Sequence, residues 1–233
     1  MLAGQMAVRS DRFGDVVVIT LDRVVRANAY DRTLLDEFDT ALCVRCAVLV
    51  IQTAGDGAFC AGADLSGMRA AAPLDALALR SQEVFTKLAR HAAITIAAVQ
   101  GPAVAGGAEL ALACDFRVAG PRAWFTFPET GFGILPSAGG TTRLSRIIGV
   151  PRAKEMILTG RVVDGPTALD WGLVHRIAEG PQSTALEWAE EIARRDHTAL
   201  RVAKELMDAD ESAGSLARER VAEAILYSRR AAT

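Results

Sequence analysis

Two glutamates, Glu109 and Glu129, stand in stretches of small and apolar residues, where a carboxylate is unusual. Glu109 follows the pair Gly106-Gly107, and Glu129 follows Pro128 at the end of a short apolar run. Two carboxylates around one water molecule can divide the work of a general base and a general acid. An acid in the first turn of a helix also complements the helix dipole, so Glu109 taken alone favours simple capping.

The residues around Glu109 predict how it is held. Residues 94–99 are β-branched and apolar, which predicts a buried strand, and Gly101-Pro102 then turns the chain. The helix formers that follow Gly106-Gly107 predict a helix beginning there. The first amides of a helix have no acceptor within the helix, so free N–H groups and a positive dipole end are expected beside Gly106.

Further motifs stand on either side of this stretch. They are Phe59-Cys-Ala-Gly-Ala-Asp-Leu65 and Trp124-Phe-Thr-Phe-Pro-Glu129, followed by Pro136-Ser-Ala-Gly-Gly-Thr-Thr-Arg-Leu144. In this order and spacing, and with Gly101-Pro-Ala-Val-Ala-Gly-Gly-Ala-Glu-Leu110, they resemble the enoyl-CoA hydratase/isomerase (crotonase) family over residues 8–210. The resemblance implies an α/β fold, a crotonase-like spiral of β-β-α units with a C-terminal helical region. We expect residues 1–180 to form the core with the active site, and 181–233 to form a helical oligomerisation region.

The resemblance also implies a reaction. Main-chain N–H groups of Ala63 and Gly106 would bind the thioester oxygen of a 2-enoyl-CoA. Removing one donor from such an oxyanion hole typically costs ~10²–10³ in rate. The position of Glu109 matches the residue that activates water, and that of Glu129 matches the residue that delivers a proton to Cα. The expected product is a 3-hydroxyacyl-CoA.

The coenzyme A part of the substrate is expected to lie across the loop around residue 63. The resemblance assigns contacts to the residues Arg26, Ala61, Asp64, Leu65 and Gly131. Arg26 is equally well explained as a solvated surface arginine, and Asp64 as the cap of a following helix. No cofactor other than this substrate moiety is expected, and relatives with helical tails imply a homotrimer or a hexamer built as a dimer of trimers.

Other functions fit the sequence less well. A Δ3,Δ2-enoyl-CoA isomerase commonly keeps one carboxylate, so the two glutamates favour hydration. A catalytically silent scaffold stays open, because the segment at Val44-Arg45 and the C-terminal tail are shorter than is usual in the family. Ser137, where glycine is usual, and the sequence Gly131-Phe-Gly-Ile134 also depart from the pattern. The sequence contains no G-x-G-x-x-G, no P-loop and no G-x-S-x-G.

Composition narrows the class of protein further. The chain has 233 residues and a net charge of −2, which argues against a nucleic-acid partner. No apolar run approaches the ~18–20 residues of a membrane span, and the N-terminus has no apolar segment typical of secretion. We therefore expect a cytoplasmic enzyme without a membrane partner.

The cysteines and histidines suggest structural roles. Cys43-Val-Arg-Cys46 has the spacing of a redox or zinc pair, but a second ligand pair is missing, so buried free thiols and no metal site are expected. His91 is expected to complete a helix C-terminus, His175 to lie on a short strand, and His197 to begin a helix.

Periodicity predicts the remaining elements. An N-terminal hairpin is expected over 6–22, followed by a helix at 31–42, a strand at 47–53 and a helix at 74–91. Three helices are expected in the tail, at 182–195, 197–210 and 215–228.

Overall fold

The computed structural model describes residues 6–64, 80–209 and residue 221. Its strands are β1 (Val8–Phe13), β2 (Val16–Leu21), β3 (Val48–Thr53), β4 (Ile94–Val99), β5 (Ala103–Val104), β6 (Phe116–Ala119), β7 (Trp124–Thr126), β8 (Val163–Asp164) and β9 (Arg176–Ile177). Its helices are α1 (Arg32–Ala41), α2 (Arg80–Ala89), α3 (Gly106–Leu112), α4 (Gly140–Ile148), α5 (Val150–Thr159), α6 (Gly165–Asp170), α7 (Pro181–Ala193) and α8 (His197–Asp208). Two 3₁₀ turns are present at Val24–Arg26 and Glu129–Phe132.

The strands form a large sheet and a small one. The large sheet has the order β1-β2-β3-β4-β6-β9, and every pair in it is parallel except the β1–β2 hairpin. The small sheet has the order β5-β7-β8. The α/β class predicted from the sequence is confirmed.

Helices cover the large sheet on both faces. Strands β2, β3 and β4 are buried along almost their whole length, as expected for parallel strands between two helical layers. One core includes Phe38 of α1 and Phe85 of α2, together with the apolar side chains of α3. The other core includes Ala185, Ala189 and Ile192 of α7 against Val50 and Ile96.

The expected hairpin, the helix after Asp31 and the buried strands are present within a few residues of the predicted bounds. Asp31 caps α1, because its Oδ1 accepts a hydrogen bond from the Leu34 amide at 2.9 Å. In the tail, α7 and α8 match the first two expected helices. The third expected helix, at 215–228, and the first part of the helix expected at 74–91 lie outside the described residues, apart from residue 221.

Helix α3 is the element that fixes the site. All seven of its residues are buried, and the strained residue Ala105 precedes it with φ 52° and ψ −124°. Such backbone conformations cost of order 1–3 kcal/mol and persist only when surrounding contacts hold them. Here the Ala105 amide donates to Thr126 O at 3.0 Å, and Ala105 O accepts from the Glu109 amide at 3.1 Å.

Candidate active site

Glu109 is held inside the protein by main-chain amides. Its side chain projects from α3, and the residue is 3% exposed. Oε1 accepts hydrogen bonds from the amides of Ala138 at 2.8 Å and Gly140 at 2.7 Å. Burial raises the pKa of Glu109, whereas these two hydrogen bonds and the charge of Arg143 act in the opposite direction. The two amides therefore offset part of the effect that burial has on the pKa of this carboxyl group.

Glu129 has a different environment. It begins the 3₁₀ turn after Pro128, is 6% exposed, and its Oε2 has no hydrogen-bond partner within the described part of the chain. Burial raises the pKa of Glu129 to about 7, and the charge of Glu109 contributes to the same rise. Near neutral pH, a large fraction of Glu129 is thus a protonated acid, whereas the side chain of Glu109 accepts two main-chain hydrogen bonds.

The two predicted oxyanion donors lie on segments in direct contact. The loop at Gly62 has φ +92°, and a Cβ added there would lie 3.4 Å from the Gly106 amide nitrogen and 3.2 Å from Ala105 Cβ. At the next residue, a Cβ at Gly107 would lie only 2.0 Å from Cys60 O. Glycine at these positions lets the loop and the start of α3 approach each other closely.

Neither donor N–H is used elsewhere in the described structure. Asp64 N donates to Tyr30 O at 2.8 Å and Tyr30 N donates to Gly62 O at 2.9 Å, so the intervening Ala63 amide points away from this pairing. Gly106 is the first residue of α3, and its amide therefore has no acceptor within the helix. Two unpaired amides beside two buried acids can polarise a carbonyl group and exchange protons at its neighbouring carbons.

Several of the residues expected to contact coenzyme A are also near one another. The Ala61 amide donates to Ala27 O at 3.1 Å, which places Ala61 beside the exposed Arg26. Gly131 is exposed in the 3₁₀ turn that Glu129 begins. Leu65 lies outside the described residues.

Asp64 has a partner that sequence patterns did not indicate. Its Oδ2 lies 3.2 Å from Arg23 Nη2, and the same guanidinium contacts Asp31 Oδ2 at 3.0 Å and Ala29 O at 2.6 Å. Arg23 therefore ties the loop carrying Ala63 to the start of α1.

Tyr30 and Arg143 are further residues at the site that sequence analysis missed. Arg143 Nη1 donates to Ala138 O at 2.7 Å and so supports the peptide that donates to Glu109. Tyr30 is 8% exposed and interacts electrostatically with both glutamates. The one hint in the sequence was position: Tyr30 directly follows Asn28-Ala29, close to Arg26, which was expected to contact coenzyme A.

The histidines have the expected structural surroundings. His91 follows α2, and its Nδ1 accepts from the Ala93 amide at 3.1 Å. His175 lies just before β9 and accepts at Nδ1 from the Arg117 amide at 3.2 Å, while His197 begins α8.

The expectation of buried thiols needs one correction. Cys60 and Cys114 are buried, but Cys46 is only partly buried and Cys43 is exposed, with its Sγ 3.3 Å from Lys87 Nζ. Cys43 follows the end of α1, whose outer face meets solvent. Within the described ranges, no group of three or more His, Cys, Asp or Glu residues could hold a metal ion.

A family model described as enoyl-CoA hydratase/isomerase matches residues 12–233. The chain belongs to this family. A probable mitochondrial enoyl-CoA hydratase 2 of Arabidopsis thaliana is 36% identical over 202 residues, covering 83% of this chain and 67% of that protein. Other curated relatives are matched over 60% of their own length.

Solved structures agree with the family assignment and with the fold. The crystal structure of an enoyl-CoA hydratase from Bacillus anthracis superposes with a TM-score of 0.89 at 35% identity, covering 93% of this chain and 89% of the other. A putative enoyl-CoA hydratase from Thermobifida fusca, crystallised in complex with CoA, gives a TM-score of 0.89 at 27% identity, covering 98% and 95%. The resemblance predicted from the motifs and the crotonase fold are thereby confirmed. No helix among the described residues is long and apolar enough to cross a membrane.

Proposed function

We propose that this chain is an enoyl-CoA hydratase, which adds water across the double bond of a 2-enoyl-CoA to give a 3-hydroxyacyl-CoA. One observation carries the proposal: two buried acids lie in opposite hydrogen-bonding environments. Glu109 accepts two main-chain hydrogen bonds, whereas Oε2 of Glu129 has no partner in the described structure. This difference suits the two acids to opposite proton transfers.

In the proposed reaction, the thioester oxygen accepts hydrogen bonds from the amides of Ala63 and Gly106. The carboxylate of Glu109 takes a proton from water as the water oxygen bonds to Cβ, and the carbon–carbon π electrons move toward the carbonyl to form an enolate. The carboxylic acid of Glu129 then delivers its proton to Cα as the enolate collapses. Proton exchange with solvent returns both acids to their starting states.

The helix that begins at Gly106 adds to the stabilisation of the enolate. The N-terminal end of α3 directs its positive dipole toward the same oxygen as the Gly106 amide. The site lies in a buried region, where these dipoles act with little screening by water. Donors that are already in place need no rearrangement as charge develops on the oxygen.

Substrate binding and assembly are part of the same proposal. We expect the coenzyme A moiety to lie near Arg26, Ala61 and Asp64, as a CoA complex of a structurally similar protein makes plausible. No separate cofactor and no nucleic-acid partner are proposed, and a homotrimer or a dimer of trimers is the expected assembly. Light scattering coupled to size-exclusion chromatography measures the number of subunits directly.

A double-bond isomerase is the second candidate, because the family includes both activities in its description. Isomerisation moves one proton between two carbons and can be done by one carboxylate. The presence of Glu109 together with Glu129 favours hydration, which needs a second group to activate water.

Turnover of 2-enoyl-CoA and 3-enoyl-CoA thioesters of increasing chain length tests the proposal. We expect loss of the 2-enoyl absorbance with wild-type protein, and a fall of ~10²–10⁴ in rate for Glu109→Ala. If only the 3-enoyl substrates react, the activity is isomerisation and the hydratase proposal is wrong. A protein inactive on every thioester, with no difference between wild type and Glu109→Ala, would indicate a scaffold.

A further inference from the structure

Tyr30 contacts both segments that carry the proposed oxyanion donors. Its main chain pairs with the first: Tyr30 N donates to Gly62 O at 2.9 Å, and Tyr30 O accepts from Asp64 N at 2.8 Å. These bonds lie on either side of Ala63 and fix the direction of its free amide.

The hydroxyl group of Tyr30 meets the second donor. A Cβ added to Gly106 would lie 2.0 Å from Tyr30 Oη and 2.8 Å from Cζ. The phenol therefore occupies the space that a side chain at Gly106 would need, directly against the first residue of α3. This contact limits how far Gly106 can move toward the phenol.

The ring is held from its other side by α2. Its centroid lies 5.5 Å from that of Phe85 in an edge-to-face arrangement, and the buried Ser81 lowers the pKa of the phenol. Burial, followed by the neighbouring Cys60 and Glu109, raises the pKa of Tyr30 well above its ordinary value. The phenol consequently stays neutral throughout the pH range in which the enzyme would work.

We propose that Tyr30 is a positioning residue, which sets the spacing and direction of the Ala63 and Gly106 amides and so controls how strongly the site polarises the thioester carbonyl. This inference rests on the proposed function, because it assigns a role to Tyr30 through the two oxyanion donors. Hydrogen bonds weaken steeply with misalignment, so a small shift of either peptide reduces polarisation.

Tyr30→Phe tests the role of the hydroxyl while keeping the ring and its packing against Phe85. We expect kcat for a 2-enoyl-CoA to fall by roughly tenfold or more with KM little changed, since small misplacements at an active site can cost up to ~10²-fold. Ser81→Ala, which removes the hydroxyl that acts on the phenol, is expected to have a smaller effect in the same direction. Ser183→Ala, which removes a hydroxyl at an exposed position of α7, is the matched control and should leave kcat unchanged.

A spectroscopic measurement separates this inference from the hydration reaction itself. The carbonyl stretching frequency of a bound 2-enoyl-CoA falls as the carbonyl is polarised, and Raman difference spectra in a Glu109→Gln background report it without turnover. We expect a smaller shift when Tyr30→Phe is added. An unchanged shift together with an unchanged kcat would overturn the role of Tyr30 and leave hydration standing. The opposite combination is also informative. If the Raman shift depends on Tyr30 but the wild-type protein adds no water to a 2-enoyl-CoA, only the hydratase proposal is refuted.

A double-mutant cycle between Tyr30 and Gly106 gives an independent test. Gly106→Ala places a methyl group on the phenol, so a large loss of kcat is expected. In the Tyr30→Leu background, where Oη and Cζ are absent, the same substitution should cost much less. Circular dichroism identifies any variant that fails to fold. Equal losses in the two backgrounds would show that the phenol does not position Gly106.

Discussion

Replacing Glu129 by glutamine should make the stability of the protein less sensitive to pH. Glutamine keeps the shape of the side chain but removes its titration. The prediction depends on burial at the 3₁₀ turn, where Glu129 is 6% exposed and its Oε2 has no hydrogen-bond partner in the described structure. A carboxylate there loses its hydration without gaining a compensating contact.

The size of the effect on the free energy of unfolding follows from the pKa of Glu129 in the folded and unfolded protein. The pKa of Glu129 rises from 4.5 to about 7 on folding. Between these two values the folded protein holds a proton that the unfolded chain has released, so stability falls as the pH rises and the loss is complete above pH 7. One pKa unit is about 1.4 kcal/mol, which makes the wild-type protein about 2–3 kcal/mol less stable at pH 8 than at pH 5 through this group.

Urea unfolding at pH 5 and pH 8, at a fixed protein concentration, measures the difference. We expect the free energy of unfolding of Glu129→Gln minus that of wild type to increase by about 2–3 kcal/mol between the two pH values. The carboxyl of Glu109 is present in both proteins, so its own titration largely cancels. Glu190→Gln, on the exposed part of α7, shows what removing one carboxylate contributes by charge alone. A difference that stays flat or decreases with pH would refute the argument from burial.

Three further predictions concern neighbouring contacts. Glu109→Gln should lower kcat for hydration by ~10²–10⁴ in steady-state assays, because it removes the proposed base. KM should change little, because no binding contact is lost. An equal effect on kcat and KM would contradict this role. Gly140→Ala would place a Cβ 2.9 Å from Glu109 Oε1 and 2.8 Å from Pro136 Cβ. We therefore expect kcat to fall by up to ~10²-fold. Gly57→Ala, whose added Cβ has nothing within 4 Å, is the control and should keep wild-type activity. Lys204→Met should lower the free energy of unfolding in urea by about 3 kcal/mol, because it removes the ammonium that lies 2.7 Å from Asp115 Oδ2 in a largely buried position. Lys154→Met, at an exposed position, is the control. Equal effects of the two substitutions would rule out the buried pair as the cause.

The sequence was sufficient to predict the long elements. Apolar β-branched runs gave the strands at 48–53 and 94–99, and helical periodicity with Asp31 as cap gave α1. The small sheet could not be predicted in the same way, because β5 and β8 have two residues each and show no period. Its pairing depends on contacts between distant segments, such as that of Ala103 with Phe125.

At the site, the motifs identified which acids to examine but not what surrounds them. The amides that bind Glu109 come from residues 29 and 31 positions further along the chain, and no local pattern encodes that contact. Tyr30 was missed for a similar reason. A tyrosine near the end of a turn usually belongs to the core, and only the packed structure places its hydroxyl against Gly106.

The arrangement of donors explains why so little of this site is visible in composition or charge. The proposed site uses four main-chain amides: those of Ala138 and Gly140 donate to Glu109, and those of Ala63 and Gly106 are the proposed donors to the substrate oxygen. All four belong to alanine or glycine, and a Cβ added at Gly106 or Gly140 would lie less than 3.0 Å from a neighbouring atom. Because a peptide dipole cannot be removed by substitution, variation at such a site acts by moving the backbone. The residues that hold the backbone in place, Tyr30 and Arg143 among them, are therefore where we expect the rate of this enzyme to be tuned.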